Sequence, residues 1–561
     1  MRSPIVVRIM GLSLRIDNAR IVDGSGAAAF AGSVGIADGR IAQVGAVSAP
    51  AERVVDARGH VVAPGLIDIH THYDPQICWD RLATPSIEHG VTTVVMGNCS
   101  LSLAPVRAEA RRKLAGMFKQ IEDIPLATFD AGVGWGWESF PEYLDAIRPG
   151  LGLHVGALVG HSALRHYVMG SASQERAATD DEVARMCGLM REAMSAGALG
   201  ISTSYVDTDE DMRPVPSRLS TLDEKVALAQ AVASTGRGVM QTVPVFHDGA
   251  QVLACIEELA EISRRSGILC SIAPIVYSPL DPGQYQRALD KLDEVNVRGA
   301  RVFGQTMPRP FDLNLRLSET SFLLYVLPAW NTVQRLPIAD RIAAFRDPVQ
   351  RGALVAQATF VARLFGRLRV GATFAAENQA LAGRSLAEIA KERGQGVADA
   401  MIDIALADDL RTEFRLVDTI HADPEHVKRL LDHPRIHVGA SDAGAHIAQF
   451  CGAGDTCFLL SRFVRERGDM TLERAIHRLT GELARDWSLG PRGLLREGLA
   501  ADLVMFDPDA IERGPEEFVS DLPGGANRYV RHARGIDRVL VQGEVVFEAG
   551  RYTAARAGTI V

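Results

Sequence analysis

The chain lacks any run of apolar residues approaching the roughly 20 that a transmembrane helix requires, so no membrane partner is expected. It also lacks paired cysteines. Its seven, at 78, 99, 187, 255, 270, 451 and 457, are odd in number, scattered, and contain no Cys-x-x-Cys pair. That excludes a disulfide framework and a zinc knuckle, and predicts a reducing, cytoplasmic compartment. Basic excess is absent too. A net charge of −9 and a pI near 6.0 argue against an electrostatically driven partner such as nucleic acid or an anionic membrane. The apolar stretches within residues 1–16 are broken by Arg2, Arg8 and Arg15, and no small-residue cleavage site follows, so no signal peptide is expected. Internal repeats and low-complexity tracts are missing.

What is present is ordinary for a globular chain: 47% hydrophobic and 23% charged residues. A length of 561 residues exceeds one small core and predicts a large barrel with an accessory module, or several domains.

Both ends read as β-structure. Strands are predicted at Leu12 to Ile16, Arg20 to Val22, Val34 to Ile36 and Arg40 to Val44, separated by Asp23-Gly24 and Asp38-Gly39 turns. Asp502 to Phe506 is a further strand, and 538–547 reads as a hairpin about Gly543. The middle alternates. Eight strand candidates begin near Leu66, Val91, Leu153, Leu199, Gly238, Ile268, Arg301 and Ile436, most followed by a helical segment. Capping boxes are expected at Thr179 with Glu182 and at Thr221 with Glu224, with helix stops at Gly197 and Gly236. The methionines at 186, 190 and 194 recur at helical spacing and read as core.

This pattern predicts an α/β fold: a (β/α)8 TIM-like barrel over 64–490, with a long insertion at 313–432. A small β-sandwich domain would be built from both termini, 1–63 and 491–561.

In such a barrel, chemistry collects at the carboxyl ends of strands. The first candidate strand ends in His70 and His72, spaced two apart and so on one face of an extended segment. The second ends at Cys99, the third at His161, the eighth at Asp442. Two imidazoles, a thiol, a third imidazole and a carboxylate are all metal-competent and suit a divalent cation such as Zn, Fe, Ni or Mn. Each has a plainer reading: a buried small hydrophobe for Cys99, a turn former for Asp442, a strand cap for His161. Their joint placement favours the metal. A divalent ion activates water at neutral pH and polarises a carbonyl. Asp442 would take the water proton and pass it to a leaving nitrogen. Asp68 orients an imidazole or, more simply, makes a buried hydrogen bond.

Several segments together resemble the amidohydrolase superfamily, in its N-acyl-D-amino acid deacylase branch. These are Ile16 to Gly26, Val62 to Asp74, Gly90 to Cys99, Ala157 to Arg165, Gly197 to Thr203, Ala440 to His446 and Leu499 to Pro508. The resemblance spans essentially the whole chain. It implies metal-dependent amide hydrolysis, usually with zinc. It places His70, His72, Cys99 and Asp442 at the metal, with Asp442 also carrying the proton and the cysteine in a bridging position. It also implies two further histidine ligands, on strands five and six. Here those strands read Gly238-Val-Met-Gln-Thr-Val and Ile268-Leu-Cys-Ser-Ile-Ala, without them. His247 falls too late to substitute, and the branch's strand-six lysine is absent. One ion is therefore expected rather than two.

The remaining candidates are weighed against plainer roles. His446 could stabilise a developing oxyanion. Arg165 and Arg309 could hold a substrate carboxylate, and His161 and Gln305 could also meet substrate. Trp135, Trp137 and Phe140 could line an acyl pocket, though core packing suits them better. The reading is a hydrolase of an N-acyl amino acid or related small amide. Alternatives are a lactam, carbamate or ester hydrolase on the same scaffold, or a catalytically silent binding protein. The expected partner is a small-molecule substrate, with homo-oligomerisation open.

Overall fold

A computed structural model describes residues 11–561 apart from 326; the signal-peptide reading falls largely on residues outside that range. Eight parallel strands pair in sequential order: β1 (Leu66–Asp68), β2 (Val91–Met96), β3 (His154–Gly160), β4 (Gly200–Ser204), β5 (Val239–Val243), β6 (Leu269–Ile272), β7 (Val302–Thr306) and β8 (Ile436–Val438). The ring closes just past the strand ends. There Thr71 pairs with Ala443 in parallel, and the His72 amide donates to the Ala443 carbonyl at 2.8 Å. Residues of β2, β3 and β5 are buried throughout, as expected where both faces of a parallel sheet are covered. Inside the ring, Ile67, Val95, Leu158, Val239 and Leu269 pack against Leu483 and Trp487. This apolar plug leaves the carboxyl ends of the strands as the polar mouth.

Helices between the strands include α1 (Arg111–Glu122), α2 (His161–Met169), α3 (Asp180–Ala196) and α4 (Leu222–Ala233). The box at the start of α3 forms as expected from Thr179 and Glu182, and Gly197 ends the helix at φ +117°. At α4 the box is only half made. The Glu224 amide donates to Thr221 Oγ1, but the Glu224 carboxylate is drawn away to His161 and Arg165.

The two chain ends share one nine-stranded sheet, joined where Val61–Pro64 runs antiparallel to Leu503–Phe506. Alternation along these strands sorts side chains by face. Val62, Leu503, Met505 and Leu540 point into the sheet's own core with Ile16, Ile21 and Val34, whereas Val61, Val504, Phe506 and Val539 face the barrel. The first two predicted strands are a single one, Leu12–Ile21, bulged where Asn18 takes φ +55°. The expected hairpin about Gly543 is present. Asp502 fastens sheet to barrel: it accepts from His154 Nε2 of β3 at 3.0 Å and pairs with Arg492 at 3.3 Å.

Between β7 and β8 the chain builds a second apolar core around Trp330, Phe345, Phe365 and Met401. This core sits on a three-stranded sheet formed by Leu313–Leu315, Arg369–Val370 and Phe414–Leu416. No helix of the described residues is long and apolar enough to cross a membrane.

Candidate metal centre

His70 and His72 lie just beyond β1, both 2% exposed, with ring centroids 5.4 Å apart. Gln305, the residue before the end of β7, holds the first. Its Oε1 accepts from the Ala440 amide at 3.3 Å and sits 3.2 Å from His70 Nδ1, while its Nε2 donates to Ser271 Oγ at 2.9 Å. This network makes Oε1 an acceptor, so Nδ1 carries the His70 proton and Nε2 presents a lone pair. That Nε2 is 3.5 Å from Cys99 Sγ and 3.2 Å from Asp442 Oδ1; His72 Nε2 is 3.8 Å from the same oxygen. Donor atoms of His70, His72 and Cys99 lie within 4.8 Å of one another. The four residues picked from sequence are therefore brought together.

The donor set fits a divalent cation: two imidazoles, a thiol and a carboxylate are borderline ligands suited to zinc. A second observation agrees. Buried Glu122 places Oε1 2.9 Å from His72 Nδ1, which occupies that side of the ring and leaves Nε2 toward the centre.

Electrostatics at the site are uneven. Burial, together with the nearby charge of His72, holds His70 well below the usual histidine range, in the neutral form a metal ligand needs. Burial also opposes protonation of His72, but the Glu122 carboxylate outweighs it and raises the ring to about 9. Burial raises Asp442, partly offset by His72 and His446. It lifts Cys99 well above the free thiol value, helped by Asp207, Glu122 and Asp442, so this thiol becomes a thiolate only when a cation displaces its proton.

The backbone here is strained. Cys99, Ser100, Ala440, Asp442 and His446 all take left-handed conformations, with φ between +48° and +65°. Each costs on the order of 1 kcal/mol for a residue with a Cβ. Strain gathered where β2 and β8 end aims the Cys99 and Asp442 side chains at the same point.

Other expected residues are placed differently. His161 and Arg165 on α2 were expected to meet substrate. Both are fully buried and bound to Glu224 of α4: His161 Nε2 is 2.9 Å from Oε1, Arg165 pairs with Oε2, and Arg165 Nη2 also donates to the Arg176 carbonyl at 3.0 Å. A carboxylate at the first turn of α4 captures both, so they brace helix against helix. Arg309 is likewise occupied. Its Nε donates to Asp455 at 2.9 Å and its Nη2 to the Ser441 carbonyl at 3.0 Å, beside Asp442. Gln305 faces the lumen as expected but holds a metal-site imidazole rather than substrate. Asp68 accepts from Ser441 Oγ at 2.6 Å, tying β1 to the β8 loop without touching an imidazole. Gln241 of β5 accepts from the Cys99 amide at 2.9 Å. His247 is exposed against Phe246. Trp137 and Phe140 are buried in the main core.

His446 does reach the mouth. Its Nδ1 is 3.4 Å from Asp123 Oδ2 and its Nε2 3.9 Å from Glu122 Oε2, and its ring meets Phe322 of the insertion edge-on at 5.0 Å. Tyr325, also of the insertion, donates to Asp123 at 3.4 Å. Sequence reasoning missed Glu122 and Asp123. They end α1 in a segment far from any strand terminus, with no spacing motif to mark them. A cavity of about 430 Å³ lies behind the β8 loop rather than at the cation site. Arg309 and Phe450 form the wall between them, Phe450 packing on His446.

Residues 53–547 match the model of the amidohydrolase family. The D-aminoacylase of Alcaligenes xylosoxydans xylosoxydans is 30% identical over 550 residues, covering 96% of each chain. A crystal structure of D-aminoacylase superposes with a TM-score of 0.68 at 27% identity, covering 98% of this chain and 99% of that one. The N-acyl-D-glutamate deacylase of Bordetella bronchiseptica, solved with zinc and a phosphonate mimic of the tetrahedral intermediate, gives 0.65 at 27%, with the same coverage. The chain belongs to the amidohydrolase family, in its D-aminoacylase-like branch, and is a metal-dependent hydrolase of amide bonds.

Proposed function

We propose that the chain removes the acyl group from an N-acyl amino acid of D configuration, at a site that takes one divalent ion held by His70, His72, Asp442 and Cys99. The observation that carries this is the convergence of those four side chains at the closing seam of the ring. The configuration follows the similar deacylases, whose names specify D-amino acids. A single ion is favoured because β5 and β6 direct Gln241 and Ser271, rather than imidazoles, toward the centre. The bound ion supplies Lewis acidity, acidifying water and polarising the scissile carbonyl.

The chain's own residues do the rest. Gln305 fixes the His70 tautomer that leaves Nε2 free. Asp442, with one side of its carboxylate toward both imidazoles and a side chain 20% exposed, accepts the proton of the attacking water and returns it to the leaving nitrogen. His446, whose burial is outweighed by Asp123 and Glu122 so that its pKa is raised, faces the mouth as a donor to a developing oxyanion. Phe322 and Tyr325 of the insertion border the mouth beside His446 and Asp123.

The test is a panel of N-acyl-D- and N-acyl-L-amino acids beside cyclic amides and esters, assayed after chelation and again with one equivalent of zinc. Zinc-dependent release of a D-amino acid is expected. Turnover confined to cyclic amides or esters, or unaffected by chelation, would overturn the reading.

A further inference from the structure

Glu122 is a buried charged residue that the fold and site so far leave without a role. It is 1% exposed, and neither carboxylate oxygen has an aligned hydrogen-bond donor. It closes α1, where the helix dipole is negative and where Asp123 adds a second carboxylate at φ +58°. Acidic groups at a helix C-terminus are disfavoured, and a buried carboxylate needs a compensating partner. The last turn of α1 offers one basic residue, Lys119. Compensation must therefore come from what the carboxylate faces. It faces His72, with Oε1 2.9 Å from Nδ1, and His446, with Oε2 3.9 Å from Nε2.

We infer that Glu122 is a positioning residue of the cation site, holding His72 through Nδ1 so that Nε2 turns toward Asp442 and the cation. The inference rests on the metal-dependent reading above. It makes the two imidazoles unequal. His70 is held by the neutral amide of Gln305, and His72 by a full carboxylate, which makes the His72 ring the more electron-rich donor. The carboxylate's negative charge also raises the site's attraction for a divalent ion without occupying a ligand position. A site lacking the two imidazoles implied for strands five and six gains its extra affinity from α1. The same carboxylate lies 3.9 Å from His446 Nε2, with Asp123 nearer at 3.4 Å from Nδ1, so the end of α1 links the cation site to the residue facing the oxyanion.

The experiment compares the parent chain with E122Q, which keeps shape and removes charge. Zinc affinity is measured by chelator competition, and metal-free stability by thermal unfolding. We expect zinc affinity to fall roughly 10- to 100-fold, while the metal-free Tm, lowered by loss of the buried His72–Glu122 pair, reports stability separately. Unchanged zinc affinity, with or without a lowered Tm, would make Glu122 merely structural and overturn the inference. Should E122Q fail to fold, E122D keeps the charge but withdraws it by one methylene. A loss of about fivefold or more supports the inference, and parent-like affinity overturns it. Zinc binding by the parent is measured alongside. A parent that binds no zinc overturns the metal-dependent reading itself, whereas a parent that binds while E122Q binds equally well overturns only the role of Glu122.

Discussion

Gln305 Oε1 lies 3.2 Å from His70 Nδ1, and that contact decides which face of the imidazole is available to a cation. The same oxygen accepts the Ala440 amide, and the other end of the side chain is tied to Ser271, so the amide cannot flip without losing two bonds. Gln305→Leu should therefore lower zinc affinity about tenfold, with the ring free to take its other tautomer. Chelator competition reads the affinity, and nitrogen NMR of the histidines reads the tautomer. An unaltered tautomer population would show that something else fixes the ring.

Asp442→Asn removes the proton carrier but keeps the side chain's size and its place beside His70. The turnover number should fall by roughly 10²–10⁴ with little change in Tm. Near-native turnover in the variant would assign the proton transfers to another group.

Cys99 adds a soft donor whose thiol burial keeps protonated. Cys99→Ser should leave one ion bound but weaken it by about tenfold. Inductively coupled plasma mass spectrometry gives the stoichiometry and competition gives the affinity. Unchanged affinity would make the thiol a packing residue.

Glu224 holds His161 and Arg165 together inside the barrel wall. Replacing it by Gln breaks a buried ion pair and should cost about 3–5 kcal/mol of stability, measured by urea denaturation. The folded fraction should keep its KM, because neither partner meets substrate. Acid adds a check. Burial alone would raise this carboxyl, but His161 and Arg165 hold it at about 2 against an ordinary 4.5. Its contribution is therefore fully present above the unfolded value and is lost as pH falls through about 2. Stability of the Gln variant should fall less steeply over that acidic window.

The strand ends were the most legible part of the sequence. Apolar runs bounded by glycine and polar residues located all eight barrel strands to within a residue or so. Two-residue spacing placed His70 and His72 side by side, because a strand terminus fixes direction locally. His161 and Arg165 show the limit of that logic. Both follow β3 directly, but their orientation depends on a carboxylate on α4 that sequence assigned to a helix cap. Glu122 was invisible for the opposite reason. It reaches the centre from a helix end, and nothing in local spacing reports which way such a helix docks. The Asn18 bulge was similarly hidden, since a single left-handed residue inside a strand leaves little trace beyond an asparagine.

The ring closes through little more than the contacts of Thr71, His72 and Ala443, and the cation site lies astride that closure. Asp68 and Ser441, bonded to each other, are 373 positions apart in the chain. An ion gripped by His70 and His72 on one side and Asp442 on the other would act as a clasp between the first and last staves. Its grip would then be coupled to the integrity of the whole enclosure. Loosening of the ring by heat or denaturant should announce itself first as escape of the ion, before the apolar plug around Trp487 gives way.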